Sequence, residues 1–274
     1  MVVAGGAALL GVEERILPGR SALHRELGLD GPAGIIPTTT PGASIEGSFV
    51  SRARRHTEVG WKVSYPPGAT PGAALPVLVV LHGAGGSHAS AFGHQLGLDR
   101  FQAAGEAPFA IASIDGGTTY WHRRANGEDA GAMVTDEFLP LLKQRGLDTD
   151  RLALLGWSMG GYGALLLGET LRPRAIAAES VAIWPTAKQA APVAFDNATD
   201  FATHTIFGRQ RELDGIFVRI DCGDGDGFAP NDRAYRAGFA TPPAGGIEPG
   251  GHNMAYWRRM APDQLAFIAQ HLST

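Results

Sequence analysis

Short apolar runs bounded by glycine or proline recur along most of this chain, and they restrict its possible folds more than any other feature. "LPVLVVLHG" (75–83), "FAIASIDGG" (109–117) and "RLALLGWS" (151–158) are three of them, and "AIAAES" (175–180) and "GIFVRIDCG" (215–223) are two more. Each is strand-length and apolar on both faces, as a strand of a doubly covered parallel sheet must be. "GGIEPGGH" (245–252) is a shorter candidate, and "HTEVGWKVSYPPG" (56–68) reads as an early antiparallel strand. Helical stretches lie between them. In "AGAMVTDEFLPLLKQRG", Val134, Phe138, Leu141 and Leu142 fall on one face at helical spacing. "SMGGYGALLLGE" follows the third run, and "PDQLAFIAQHL" ends the chain with Leu265, Ile268 and Ala269 inward. Strands alternating with helices predict an α/β architecture: a mostly parallel central sheet with helices on both faces, in three layers. In such sheets ligands bind beyond the carboxyl ends of the strands.

The expected organisation is one domain over residues 48–274, with no internal repeat. The 44% hydrophobic content of the 274 residues suffices for one large core. Residues 185–215 have mixed polarity and weak periodicity and are the expected lid or pocket wall. Residues 1–47 stand apart. An apolar run from Val2 to Val12 is too short to span a membrane but fits the core of an export signal. It has neither a basic start nor a small-residue cleavage site, so a Gly/Ala-rich helix docked on the domain is the other reading. The expectation is an exported protein, extracytoplasmic or secreted, with the cytoplasm as the alternative. A Gly/Pro-rich lead-in follows, "GPAGIIPTTTPGAS".

A formal net charge of −4 and the lack of basic runs argue against nucleic-acid binding. Cys222 is the single cysteine, which excludes an intrachain disulfide and a thiolate zinc cluster. No part of the pattern specifies an oligomer.

Chemistry concentrates after the strand-like runs. "GWSMGG" joins a strand to a helix, and G-x-S-x-G in that context is the nucleophile-elbow pattern, with Ser158 on a sharp turn that only glycine neighbours can accommodate. A serine hydroxyl needs a base to take its proton. Of nine histidines, His252 is the one that follows the last short strand and precedes the last helix. Three carboxylates, Asp221, Asp224 and Asp226, follow or end the preceding strand in "RIDCGDGDGF". That segment lacks the spacing of a calcium-binding EF-hand loop. An oxyanion hole requires two backbone N–H groups, one from the residue after the nucleophile, Met159, and one from the loop after an earlier strand. "LHGAGGSH" offers Ala84 for the second, and it has neither the lysine of a P-loop nor the spacing of a dinucleotide loop. The chain order Ser, Asp, His separates this arrangement from two other common triad orders. Tyr120 and Trp121 in "DGGTTYWHRR", and Trp184 after another strand, are candidate pocket residues, with core packing as the alternative.

With "LHGAGG", "GWSMGGYGAL", "CGDGDGF" and "GGHN…W" in place, the chain resembles the α/β-hydrolase superfamily from Thr57 to Leu272. More narrowly it resembles the esterase D group, which includes S-formylglutathione hydrolases, feruloyl-esterase-like enzymes and mycobacterial mycolyltransferases. In that group the acid often sits three residues after a strand-ending glycine and two before a phenylalanine. Gly223, Asp226 and Phe228 match, so the resemblance selects Asp226 over Asp224. It differs from the mycolyltransferases, which use glutamate there. The resemblance implies hydrolysis of a small-molecule acyl ester or thioester through Ser158, Asp226 and His252, with no metal or organic cofactor. Two alternatives remain at this stage. An acyltransferase would hand the acyl group to a sugar or lipid alcohol, and product analysis with an added alcohol would reveal it. A non-catalytic binding module would fail to react with a serine-directed fluorophosphonate.

Overall fold

The computed structural model describes residues 26–273. The expected apolar N-terminal segment lies outside the described residues. Eight strands form one sheet: β1 (Ser44–Ser51), β2 (Thr57–Ser64), β3 (Pro76–Leu81), β4 (Ala110–Ile114), β5 (Asp148–Trp157), β6 (Ala175–Glu179), β7 (Phe217–Gly223) and β8 (Ile247–Glu248). Their spatial order is β1-β2-β4-β3-β5-β6-β7-β8. β1 and β2 are antiparallel to their neighbours, and every pairing from β4 to β8 is parallel. β1 begins at Ser44, four residues ahead of the expected domain start, because "SIEGSFVS" is a mostly exposed edge strand whose polar residues hide its period.

The helices are α1 (Leu98–Ala104), α2 (residues 130–144), α3 (Met159–Leu171), α4 (Ala198–His204), α5 (Ala229–Ala237) and α6 (Met254–Leu272). α2 contains a π-helical turn at Met133–Phe138. Pro140 lies one residue inside the next segment, and its missing N–H accounts for a local departure from regular α-helical bonding. α6 starts eight residues earlier than the apolar pattern of its C-terminal half suggests, with Asn253 capping it by accepting the Tyr256 N–H at 3.1 Å.

Side chains alternate across β3. Val77, Val79 and Leu81 face one core with Phe138 of α2 and Tyr162 and Leu165 of α3. Leu78 and Val80 face the other, with Phe101 of α1 and Trp257 and Ile268 of α6. This period of two on a doubly covered sheet is the three-layer α/β arrangement. The 185–215 segment is no loose flap. Phe195, Phe201, Ile206 and Leu213 are buried in the first core. Arg124 ties the segment to the loop after β4 by donating to Asp196 Oδ1 from Nε (3.1 Å) and to Val193 O (3.0 Å). Arg124 is thus a structural clamp.

Close approach at the elbow depends on Gly160, where a Cβ would overlap the carbonyl oxygen of Leu81 at the end of β3. The crowding atoms, of Leu81 and His82, are all backbone, so the clash cannot be relieved by a rotamer change. Gly160→Ala is expected to destabilise the protein by about 3 kcal/mol and to lower Tm by about 10 °C, as measured by calorimetry.

Candidate active site

Every candidate site residue lies just past the carboxyl end of a parallel strand: Ala84 after β3, Tyr120 and Trp121 after β4, Ser158 after β5, Trp184 after β6, Asp226 after β7 and His252 after β8. Ser158 has φ 56° and ψ −121°, a sparsely populated conformation for a non-glycine residue. Its N–H donates to Glu179 O at 2.8 Å, which fixes the strained turn to the neighbouring strand. His252 Nε2 lies 3.0 Å from Ser158 Oγ, and His252 Nδ1 lies 2.8 Å from Asp226 Oδ2. The Asp226 side chain is fully buried, whereas the His252 ring keeps 32% of its surface exposed. The second oxygen of Asp226 accepts the Phe228 N–H at 2.9 Å, so the carboxylate is held from both sides.

The other two aspartates of the cluster have different work. Asp224 Oδ1 accepts the Gly250 N–H at 3.2 Å and clamps the loop that carries His252. Asp221 Oδ2 receives Arg219 Nε at 2.8 Å from β7 itself and Gln264 Nε2 at 3.1 Å from α6.

Met159 is the first residue of α3, so its N–H has no intrahelical acceptor and sits at the positive end of the helix. Ala84 is exposed and follows Gly83, where a Cβ would lie 3.3 Å from Ser158 Cβ and 2.8 Å from Trp157 Nε1. The loop after β3 is held by two histidines whose part sequence reasoning missed. Buried His82 has Nε2 2.9 Å from the Gly116 N–H and Nδ1 2.8 Å from Gly83 O. The first contact requires an unprotonated Nε2, so the ring is neutral with its proton on Nδ1. Burial accordingly lowers its pKa. Asp115 accepts the His88 ring Nδ1 at 2.8 Å and the Gly60 N–H at 3.0 Å. Burial alone would raise its pKa, but the His88 and Gly60 hydrogen bonds outweigh burial and hold it below the usual value. The "HG" and "SH" of the loop were the available signal.

Of the expected pocket residues, Trp121 is fully buried, its ring filling the space over Gly116 and Gly163 and packing edge-on against His82 at 5.2 Å. It is a core residue, and the two glycines leave the room its indole occupies. Tyr120 packs against Tyr162 and Trp184, each at 5.9 Å. Trp184 continues to Phe228 at 5.6 Å, and Phe228 reaches the His252 ring at 5.5 Å. An aromatic wall therefore runs from Tyr120 to His252, with Phe228 as the half-buried member that sequence reasoning did not single out for the pocket.

His122, Asp200 and His204 bring three potential ligand atoms within 4.8 Å. The imidazoles, however, are stacked at 4.3 Å with 25° between their planes. An imidazole ligates in its own plane, and two such planes do not meet near the nitrogens. The group is a hydrogen-bonded stack, with His204 Nδ1 2.7 Å from Asp200 Oδ1.

Behind the elbow, Glu179 is fully buried next to Asp221. Burial pushes its carboxyl well above the usual range and Asp221 adds to this, while Gln264 and Arg219 oppose it. A carboxyl raised in the folded state binds its proton more tightly there than when unfolded, so the stability it confers is lost as pH climbs from its ordinary value towards the folded one. Glu179→Gln mimics the protonated form. Its Tm is expected to exceed that of wild type by a margin that widens from pH 5 to pH 9, as measured in a thermal unfolding series. Cys222, buried at the end of β7, has its thiol pKa raised by burial and is an inert packing residue.

The family model described as "Putative esterase" matches residues 53–268. No curated protein sequence matches the chain significantly. Solved structures share the fold. A ferulic acid esterase aligns with TM-score 0.70 at 21% identity, covering 84% of this chain and 99% of its own. The fluorophosphonate-binding serine hydrolase F of Staphylococcus aureus aligns with TM-score 0.67 at 17% identity over 84% and 99% of the two chains. An S-formylglutathione hydrolase from Agrobacterium tumefaciens gives 0.65 at 18% over 86% and 98%. The match spans most of the sheet and every strand end just described, and the chain accordingly belongs to this esterase family, a carboxylic ester hydrolase of the esterase D-like group with the α/β-hydrolase fold.

Proposed function

We propose that Ser158, His252 and Asp226 form a catalytic triad that cleaves carboxylic esters or thioesters through an acyl-enzyme. The observation that carries this reading is the unbroken hydrogen-bond chain, Ser158 Oγ to His252 Nε2 at 3.0 Å and His252 Nδ1 to Asp226 Oδ2 at 2.8 Å. Ser158 Oγ attacks the carbonyl carbon, and its proton passes to His252 Nε2. Asp226 holds the ring with Nδ1 protonated and stabilises the imidazolium that forms. The carbonyl oxygen becomes an oxyanion, which the N–H groups of Ala84 and Met159 receive, a contribution of about 3 kcal/mol for each well-placed donor. The tetrahedral intermediate collapses, the bond to the leaving oxygen or sulfur breaks, and His252 returns its proton to that atom. Water attacks the acyl-enzyme with His252 as base, which releases the acid and restores Ser158.

Phe228, Trp184 and Tyr120 give the site an apolar aromatic side suited to an acyl chain. A fluorophosphonate should form a covalent adduct at Ser158, found by mass spectrometry of the peptide spanning the elbow. A protein that turns over p-nitrophenyl esters while Ser158 remains unmodified would refute the assignment.

A further inference from the structure

The lead-in before β1, which the sequence presents as a linker, is built into the edge of the site. Residues 30–33 form one wall of a cavity of about 540 Å³, and residues 251–256, including His252, form the other. The segment is docked firmly. Arg259 of α6 donates from Nη1 to Asp30 O at 2.9 Å and Pro32 O at 2.7 Å, and from Nη2 to Pro249 O. One guanidinium thus binds the lead-in and the loop carrying His252 together. The Gly34 N–H donates to Ala255 O at 2.8 Å, and a Cβ on Gly34 would overlap the α6 backbone at Arg259. Gly31 has φ +71° and lies against the Arg259 guanidinium.

Asp30 is the one carboxylate in the cavity lining. Asp30 Oδ1 is shielded from solvent and has no hydrogen-bond donor among the described residues. The other oxygen, Oδ2, lies 3.5 Å from the point a Cβ on Gly251 would occupy, so the carboxylate faces the residue before His252. Oδ1 has no surface for a ligand to reach, whereas Oδ2 is not shielded in this way, and a ligand hydroxyl donating to it would make a charge-assisted hydrogen bond. The Arg259 guanidinium donates to the Asp30 carbonyl, and the positive N-terminal end of α6 lies on the opposite wall. Those charges compensate the carboxylate and disfavour a cationic ligand. A neutral hydroxyl is the donor that fits.

We propose that this cavity is the leaving-group subsite, that Asp30 is its specificity-determining hydrogen-bond acceptor, and that it selects esters whose alcohol portion carries additional hydroxyl groups. The inference rests on the triad reading, since it places the departing oxygen beside His252. Arg259 is a positioning residue that holds both walls.

The test compares 2,3-dihydroxypropyl acetate with propyl acetate, which share an acyl group and a carbon skeleton. Wild type is expected to favour the dihydroxy ester in kcat/KM by about tenfold, the worth of a hydrogen bond to a charged group. Asp30→Ala is expected to bring that ratio close to one, and Asp30→Asn, which keeps an acceptor oxygen, to retain part of it. A ratio unchanged in Asp30→Ala overturns the proposal. So does a collapse seen only with a trimethylammonioethyl ester, which would make Asp30 a cation contact. Fluorophosphonate labelling separates the two levels of failure. A variant still labelled at Ser158 with unaltered discrimination removes the subsite alone, whereas wild type that hydrolyses both esters without labelling removes the triad reading first.

Discussion

Ser158→Ala is expected to lower kcat on p-nitrophenyl esters by about 10⁶-fold while leaving Tm nearly unchanged. In the proposed mechanism the substitution removes the one atom that forms the acyl bond. It also leaves His252 and Asp226 without the serine hydroxyl proton to move, so on this reading the three residues fail as a unit and not additively. Stability is little affected, because the Ser158 N–H bond to Glu179 O is a backbone contact that alanine keeps. The backbone strain at φ 56° is the same for alanine as for serine. The measurement is turnover on esters from acetate to palmitate, with wild type and variant side by side. The chain length preferred by wild type sizes the acyl site proposed beside Phe228 and Trp184. Turnover in the variant within a hundredfold of wild type would mean that a different nucleophile does the chemistry.

Asp226→Asn is expected to reduce kcat by about 10⁴-fold, against a few-fold for Asp224→Asn. The amide of asparagine can donate to His252 Nδ1, which stabilises the tautomer with its proton on Nε2. That tautomer cannot accept the Ser158 proton. Burial of the Asp226 side chain strengthens the contrast, since water does not reach the carboxylate to replace its charge. Asp224 acts one step away: its Oδ1 holds the Gly250 N–H, two residues before His252, and an amide oxygen can accept the same bond. Equal losses in the two variants would transfer the acid role away from Asp226 alone. The readout is kcat together with the pH–rate profile, because a misplaced tautomer changes the profile and a slightly loosened loop does not.

Much of the fold was legible because local rules and global architecture agree. The apolar runs at β3 to β7 are buried on both faces, and such strands show their nature in composition alone. The elbow was legible for a related reason. Gly156 and Gly160 mark places where backbone must touch backbone, and a sequence displays that constraint directly. β1 was harder to see, since a solvated edge strand with exposed Glu46 and Ser48 lacks the apolar signal that burial imposes. The same limit hid the docking of residues 30–34, which is achieved by backbone carbonyls facing one arginine from a helix more than two hundred residues later.

The choice among the three aspartates illustrates the division. Asp221, Asp224 and Asp226 are near-identical in local sequence, and only a family resemblance ranked them. In space each is sorted by what it meets: Arg219 in the strand, the Gly250 N–H across the loop, and the His252 ring at the site. Trp121 and Trp184 likewise carry the same aromatic signal, yet one fills a cleft between two glycines and the other joins the wall that reaches His252. By itself the sequence determined the layer architecture, the strand ends where the candidate site residues sit and the glycines of the elbow, because these follow from periodicity and backbone sterics. The tertiary structure decided the distances, the carboxylate that meets the histidine and the walls of the cavity, because each depends on contacts between segments far apart in the chain, where local pattern carries no information about direction.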